Sequence, residues 1–293
     1  MKLWHSYHIA KGVDDALQAL GGQSENACVI AGGTDLLLDL QQGRRAPVAL
    51  LVDVTRIPEL NRLEVRENDA FIGAGVPLNR VIDAAWVASE ATALFEACSL
   101  IGGPQVRNTA TLGGNVGHAL PAADGTIALL ASAGMAELAG PYGRRHVPVE
   151  ELFLGPGKSA LLPGKELLVG FHLPRRQAGQ GSAFRRVMRP QGVAIAILNM
   201  GMTIWRERDL VGEIRIAVGP AGPVPFRARQ TEMHLRGKAP TPEILKEAAA
   251  TLLQEASFRT SPHRATAEYR RRMAVILYYE VFQSAWRRTF SGE

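Results

Sequence analysis

The chain has 293 residues, 46% of them hydrophobic and 21% charged, which suits two or three compact domains with real cores and excludes a disordered or fibrous protein. Its net charge is a modest +5, with basic clusters at Tyr269–Met273 and Trp286–Phe290. No aromatic-interleaved RNA motif or recognition-helix pattern accompanies them, so they read as solvated helix faces or one side of a protein interface, not as nucleic-acid contacts.

Cys28 and Cys98 are the only cysteines and both sit in apolar settings. Neither a disulfide framework nor a cysteine-ligated zinc or iron–sulfur site can be built from them, and both read as packing residues. The longest apolar run, Val193 to Trp205, contains Asn199 and falls short of the about 20 residues that span a bilayer, so no membrane helix is expected. The opening "MKLWHSYHIAKGVDDALQAL" lacks an apolar core with a small-residue cleavage site, so a cytoplasmic protein is expected.

In chain order, the pattern predicts a first strand at Trp4–His8 and a helix from Val13 to Leu20 with Asp14 and Asp15 at its acidic start. "ACVIA" reads as a buried strand, "TDLLLDLQQG" as a helix ended by Gly43, and "VALLVDV" as a second buried strand. From Ala70 a larger α+β unit follows. "AFIGAGV" is strand-like, Ala88–Ile101 is helical, and "DGTIALLASAG" is a further helix before strands around Met135–Leu138 and Arg144–Val147. After "ELLVGFHLP", ending at Pro174, "RRQAGQGS" reads as a linker. About three strands come next, then helices at Thr241–Glu255 and Thr266–Thr289. The expected domains are 1–175, with parts at about 1–55 and 56–175, and 176–293.

Two glycine-rich stretches carry chemistry. In "CVIAGGTDLLLDL" a strand ends in Gly32 and Gly33 and a helix opens with Thr34 and Asp35, leaving unpaired backbone N–H groups with no Cβ to block a close approach. Such a turn cradles phosphate or is purely structural; the Thr34 hydroxyl either caps the helix or binds an anion. "PQVRNTATLGGNVGHALPAADG", Pro104 to Gly125, repeats the same chemistry with a hydroxyl, bare backbone and an amide side chain. Two such turns suit two grips on a long anionic ligand such as a dinucleotide. Neither follows the nicotinamide fingerprint or the ATP-binding loop: "GAGVPL" from Gly73 has Leu78 where the third glycine belongs, and no lysine follows a glycine-rich loop.

"AGGTDLL", "VDVTRIPEL", "IGAGV", "QVRNTATLGGN" with "PAADG" after it, "ELLVGFHLP" and "TAEYRRRM" stand in the order and spacing of the FAD-binding medium subunits of molybdenum hydroxylases, which the chain resembles over nearly its whole length. That family includes the flavoprotein subunits of aerobic carbon monoxide dehydrogenase and bacterial xanthine dehydrogenase. The resemblance implies an α+β fold: a two-part FAD-binding domain of the vanillyl-alcohol-oxidase (PCMH) type, then a C-terminal domain with a three-stranded antiparallel sheet and helices.

It also implies the FAD contacts. Val29, Ile30, Ala31, Gly32, Gly33, Thr34, Asp35 and Leu36 would line the pyrophosphate through backbone amides, and Ile101 would pack on the cofactor. Thr111, Gly114 and Asn115 would form the second cradle. Asp124 would accept from a ribose or adenine group, or else simply cap the helix that follows. Leu161 or Leu162 and Arg185, where relatives commonly carry lysine, would lie near the flavin end. Arg107 and Asn108 read as braces of their turn, His118 as structural, and Tyr269–Arg272 as either a partner interface or an exposed face. No catalytic side chain and no metal ligand is expected.

The implied function is electron transfer. In such enzymes substrate is oxidised at molybdenum on a large subunit, electrons cross the 2Fe-2S clusters of a small subunit, and the flavin of the medium subunit passes them on. The partners would therefore be a large molybdenum-cofactor subunit and a small 2Fe-2S subunit, in a heterotrimer or a dimer of heterotrimers. The cysteine-bearing loop of the hydroxybenzoyl-CoA reductase branch has no counterpart. Two other readings are a stand-alone flavin oxidoreductase of the same fold and a scaffold that has lost FAD.

Overall fold

The computed structural model describes residues 2–22, 26–189 and 195–290. The first sheet is parallel. Strands β1 (Trp4–Ile9), β2 (Ala27–Ile30) and β3 (Val48–Asp53) are joined through helices α1 (Val13–Gly21) and α2 (Leu36–Gln41), in the order β1-β3-β2. β3 pairs on both edges, which explains its nearly uninterrupted apolar run "VALLV". On α1, Val13, Ala16 and Leu20 fall on one face and are buried. α2 begins later than the sequence suggests: Thr34 and Asp35 belong to the turn, and the Asp35 side chain makes no capping bond. Gly43 then ends the segment in the left-handed region (φ +68°).

A second, antiparallel sheet follows. Strands β4 (Leu63–Val65) and β5 (Asp69–Gly73) open it, and six helices intervene before its remaining strands. These are α3 (Leu78–Asp83), α4 (Ala85–Glu90), α5 (Thr92–Leu100), α6 (Pro104–Arg107), α7 (Leu112–Gly117) and α8 (Asp124–Ala131). The single helix expected over Ala88–Ile101 is thus two. The chain leaves the helical region at Ala91 (φ −127°, ψ 50°), just after Glu90 is pinned by Arg175 at 2.6 Å. Strands β6 (Met135–Gly140) and β7 (Gly143–Pro148), a small hairpin β8 (Phe153–Gly155) with β9 (Lys158–Ser159), and β10 (Leu167–Pro174) complete this part, with sheet order β4-β5-β10-β6-β7.

The expected linker is shorter than its composition suggests, because β11 (Gln180–Val187) already begins at Gln180. β11, β12 (Leu198–Glu207) and β13 (Leu210–Gly219) form the expected antiparallel trio, extended by the two-residue β14 (Phe226–Arg227). Val193 and Ala194 of the expected apolar run lie outside the described residues. Helices α9 (Arg229–Leu235), α10 (Pro242–Glu255) and α11 (Ala267–Arg288) cover one face of this sheet. Thr241 and Thr266 cap α10 and α11 by accepting from Ile244 N and Tyr269 N.

Helix α8 explains its own composition. Every residue from Asp124 to Ala131 is buried, because α8 is enclosed by α5 and α7 and by the other face of the β12 sheet. Gly201 on β12 permits that approach, since a Cβ there would meet Ala131 at 3.2 Å and the Ile127 carbonyl at 3.4 Å. The chain after Pro174 is also tied back by ions. Glu96 on α5 accepts Phe184 N (2.7 Å), Arg185 (2.8 Å) and Arg288 (2.7 Å), so burial of its carboxyl is more than offset and it sits below the usual carboxylate range.

Candidate functional site

The two glycine turns meet. β2 leaves the first sheet at Ile30, whose carbonyl accepts Val54 N, and the chain passes through Ala31–Asp35 into α2. At Gly32 a Cβ would lie 2.0 Å from the Thr109 carbonyl oxygen and 2.9 Å from Ala110 Cα, so only glycine lets this turn press against the loop that leads into Thr111. Gly33 has φ +67°, and a Cβ there would touch Ile30 and Leu37. Among the described residues, no acceptor takes the backbone amides of Gly32, Gly33, Thr34 or Asp35. Four successive N–H groups without a protein partner, beside a second glycine turn, are what an anion requires.

The second turn rests on the exit of β5. Leu78 N donates to the Ala110 carbonyl (2.9 Å) and Gly113 N to the Ala74 carbonyl (3.1 Å). A Cβ on Gly113 would come within 2.4 Å of that Ala74 oxygen. Thr111 caps α7, its hydroxyl accepting Gly114 N at 2.9 Å. Gly114 itself faces open space: an added Cβ would find only Thr111 Oγ1, at 3.3 Å. Asn115 turns its side-chain oxygen to Thr126 N (3.2 Å), tying α7 to α8. The glycines of "IGAGV" have a structural cause, since Gly73 would meet the Leu60 carbonyl at 2.2 Å.

Asp124 is not a cap. Ala123 holds the cap position of α8, and the Asp124 carboxylate is buried against β11 and β12, taking a hydrogen bond from Asn199 Nδ2 at 2.6 Å and an ion pair from Arg186. Burial pushes this carboxyl upward, and Arg186 and Asn199 oppose that push. Arg185 lies on the other face of β11, paired with Glu96. The structure therefore joins Asp124 to Arg186 and Asn199, which are cross-strand partners in the β11–β12 register, and not to Arg185. Both were missed in the sequence; the signal available was Asn199 inside the apolar run "AILNMGMTIW".

The remaining expected residues fall nearby or in bracing roles. Ile101 is half-buried on the large core, and Arg107 donates to its carbonyl (3.2 Å) and to that of Gly102 (2.8 Å), bracing the turn. Asn108 is held by Asn79. Leu161 packs on the same core, whereas Leu162 is 49% exposed. Gly157 N donates to the Ala119 carbonyl (2.9 Å), which ties the β8–β9 hairpin to the end of α7. His118 belongs to no cluster of potential metal ligands among the described residues.

A small parallel sheet and a larger antiparallel unit, each contributing a glycine turn to one amide-lined seam, define a dinucleotide-binding fold of the PCMH class. Residues 3–176 match the FAD binding domain in molybdopterin dehydrogenase, and residues 182–285 match the CO dehydrogenase flavoprotein C-terminal domain. The carbon monoxide dehydrogenase medium chain of Hydrogenophaga pseudoflava is 32% identical over 96% of this chain and 97% of its own length. The xanthine dehydrogenase FAD-binding subunit of Escherichia coli O157:H7 is 29% identical over 96% and 95%. A solved structure of carbon monoxide dehydrogenase from H. pseudoflava superimposes with a TM-score of 0.93 at 31% identity, covering 98% of this chain and 99% of that one. Reconstituted CO dehydrogenase from Oligotropha carboxidovorans gives 0.92 at 26% identity, covering 98% and 99%. The chain belongs to the family of FAD-binding subunits of molybdenum hydroxylases and is an oxidoreductase component. No helix among the described residues is long and apolar enough to cross a membrane.

Proposed function

We propose that this chain carries FAD as the electron-transfer subunit of a multi-subunit molybdenum hydroxylase. The observation that carries the reading is the run of four partnerless amides, Gly32 to Asp35, lying against the Thr109–Asn115 turn. These amides, with the Thr34 hydroxyl and the open surface of Gly114, would hold the pyrophosphate. Ile101 and Leu161 would pack on the cofactor's ring systems, and Leu162 would reach its edge from the exposed loop. Asp124, with both oxygens engaged by Arg186 and Asn199, would fix the ground on which the ribose end rests and offer its remaining lone pairs there.

FAD, when bound, would supply the redox chemistry of electron transfer. The protein's own groups bind, orient and shield it; none need act as acid, base or nucleophile. The electron source is a small 2Fe-2S subunit, itself fed by a large molybdenum-cofactor subunit, in a heterotrimer or its dimer. Within the chain, 1–175 form the FAD-binding domain, with parts near 1–55 and 56–175, and 176–293 form a separate C-terminal domain. The test is the absorption spectrum of the purified chain with chromatography of any cofactor released on denaturation. Noncovalent FAD near one per chain, without iron, supports the reading; a chain that takes up no flavin even when FAD is supplied in excess overturns it.

A further inference from the structure

We infer that the antiparallel sheet carries a site for a divalent transition-metal ion such as zinc, built from Glu137, His146 and His172. These residues stand on three neighbouring strands: His172 on β10, Glu137 on β6 and His146 on the edge strand β7, directly across from Glu137. One ligand atom from each lies within 4.8 Å of the others. Glu137 Oε2 is 3.0 Å from His172 Nε2 and 3.9 Å from His146 Nε2. Donor atoms around tetrahedral zinc stand roughly 3.3–3.6 Å apart, given metal–ligand bonds of about 2.0–2.2 Å, so the two separations from Oε2 bracket what the ion needs.

The hydrogen bonding points to a cation at this spot. His172 Nδ1 is engaged by the Asp69 carboxylate, which orients the ring with Nε2 toward Glu137. Nε2 then stands 3.0 Å from Glu137 Oε2, a separation that either a hydrogen bond from Nε2–H or a metal ion shared by the two atoms can span. A second imidazole, that of His146, approaches the same oxygen, its ring 4.8 Å from that of His172 and steeply inclined to it, so three potential ligand atoms converge on one point. Asp69 behind His172 completes the carboxylate–histidine–metal relay that orients such ligands.

The carboxylate is divided between two tasks. Oε1 of Glu137 takes Arg144 at 2.7 Å, and Arg144 is also held by Glu59, whereas Oε2 is the atom aimed at the histidines. Metal binding at Oε2 thus leaves the Arg144 contact in place. The site opens to solvent through His146, whose side chain is 51% exposed, while His172 and Glu137 are largely covered at 17% and 11%. Three protein ligands leave a fourth position for water, and the ion would clip the edge strand β7 to the middle of the sheet.

The test uses the full chain loaded with FAD and stripped of metal by a chelator. It is titrated with Co²⁺, read by its visible d–d absorption, and then with Zn²⁺ in competition. One ion per chain with the spectrum of a four-coordinate nitrogen–oxygen site is expected. His146→Ala changes an exposed side chain and should keep fold and flavin, yet lose at least tenfold in affinity. Asp69→Asn should weaken binding about 10–100-fold, and His8→Ala, a half-exposed histidine paired elsewhere with Asp15, should bind as the wild type does. Absence of binding in the wild type, or equal binding by His146→Ala and His172→Gln, overturns the site. Because flavin content is read separately, neither result bears on the FAD reading.

Discussion

Gly114→Ala separates the cofactor's need for bare backbone from the protein's own. The added methyl would meet a single atom within 4 Å, Thr111 Oγ1 at 3.3 Å, so the flavin-free chain should accommodate it with a shift of a few tenths of an ångström. Gly114 lies inside α7, where alanine is favoured over glycine by about 0.5–1 kcal/mol. The stability of the apo chain should therefore change by no more than about 1 kcal/mol, in either direction. FAD should respond differently. A methyl in the path of the pyrophosphate displaces it from one or more amides, and a hydrogen bond to a charged group is worth about 1.5–3 kcal/mol. That corresponds to an affinity loss of about 10–150-fold. The assay pairs a thermal melt of the apo chain with a fluorescence titration against FAD. Unchanged FAD affinity together with unchanged stability would refute the placement of the cradle. Gly32→Ala is the contrasting case: its methyl would stand 2.0 Å from the Thr109 carbonyl, so the apo chain itself should be destabilised and any FAD loss there would be indirect. Gly33→Val is unsuitable for the same purpose, because φ +67° strains a branched residue before any ligand arrives.

Arg186→Met should destabilise the chain by about 3–5 kcal/mol, because it strands the buried Asp124 carboxylate with Asn199 alone; urea denaturation measures this, and a change within about 0.5 kcal/mol would mean that the pair does not act as the geometry says. Glu96→Gln should cost about 1–3 kcal/mol at neutral pH by weakening three hydrogen bonds that join α5 to β11 and α11. The carboxyl of Glu96 is depressed in the folded state, so its contribution is full above the unfolded value of about 4.3 and is lost as pH falls through the lower folded value. The stability gap between wild type and Glu96→Gln should therefore be constant from neutral pH down to about pH 5 and close below it, in melts recorded across that range; a gap that widened with acid would contradict the assignment.

The turns were legible in the sequence because paired glycines mark bare backbone whatever demands them: Gly33 answers to its own φ of +67°, whereas Gly32 and Gly113 answer to the carbonyls of Thr109 and Ala74. "AGGTD" and "TLGGN" announce bare amides wherever they lie. Their meeting was not legible, since the contact between Gly32 and Thr109 joins segments far apart in the chain. The parity of a strand decided the next question. Arg185 and Arg186 differ by one position, and only the register of β11 against β12 sends the first to Glu96 and the second to Asp124 and Asn199. The glycines of "IGAGV" could be read as needed but not explained, because the Leu60 carbonyl that excludes a side chain comes from an unrelated turn. Helix α8 was legible as a helix but not as one buried on every side, because the sheet that covers its second face comes from later in the chain. The starts of α2 and α5 were misplaced by a few residues, where tertiary ties at the turn and at Glu90 outweigh propensity.

The measurement that bears most directly on the proposed role is rapid-mixing reduction of the bound flavin, followed at its visible absorption, in the complex purified with its partner chains and in this chain alone. Electron delivery through an iron–sulfur partner predicts that substrate bleaches the flavin only in the complete complex, with cluster reduction preceding it, and that the isolated FAD-loaded chain stays oxidised. Bleaching of the isolated chain by a small substrate at a turnover rate would contradict the account and identify a self-sufficient flavoenzyme.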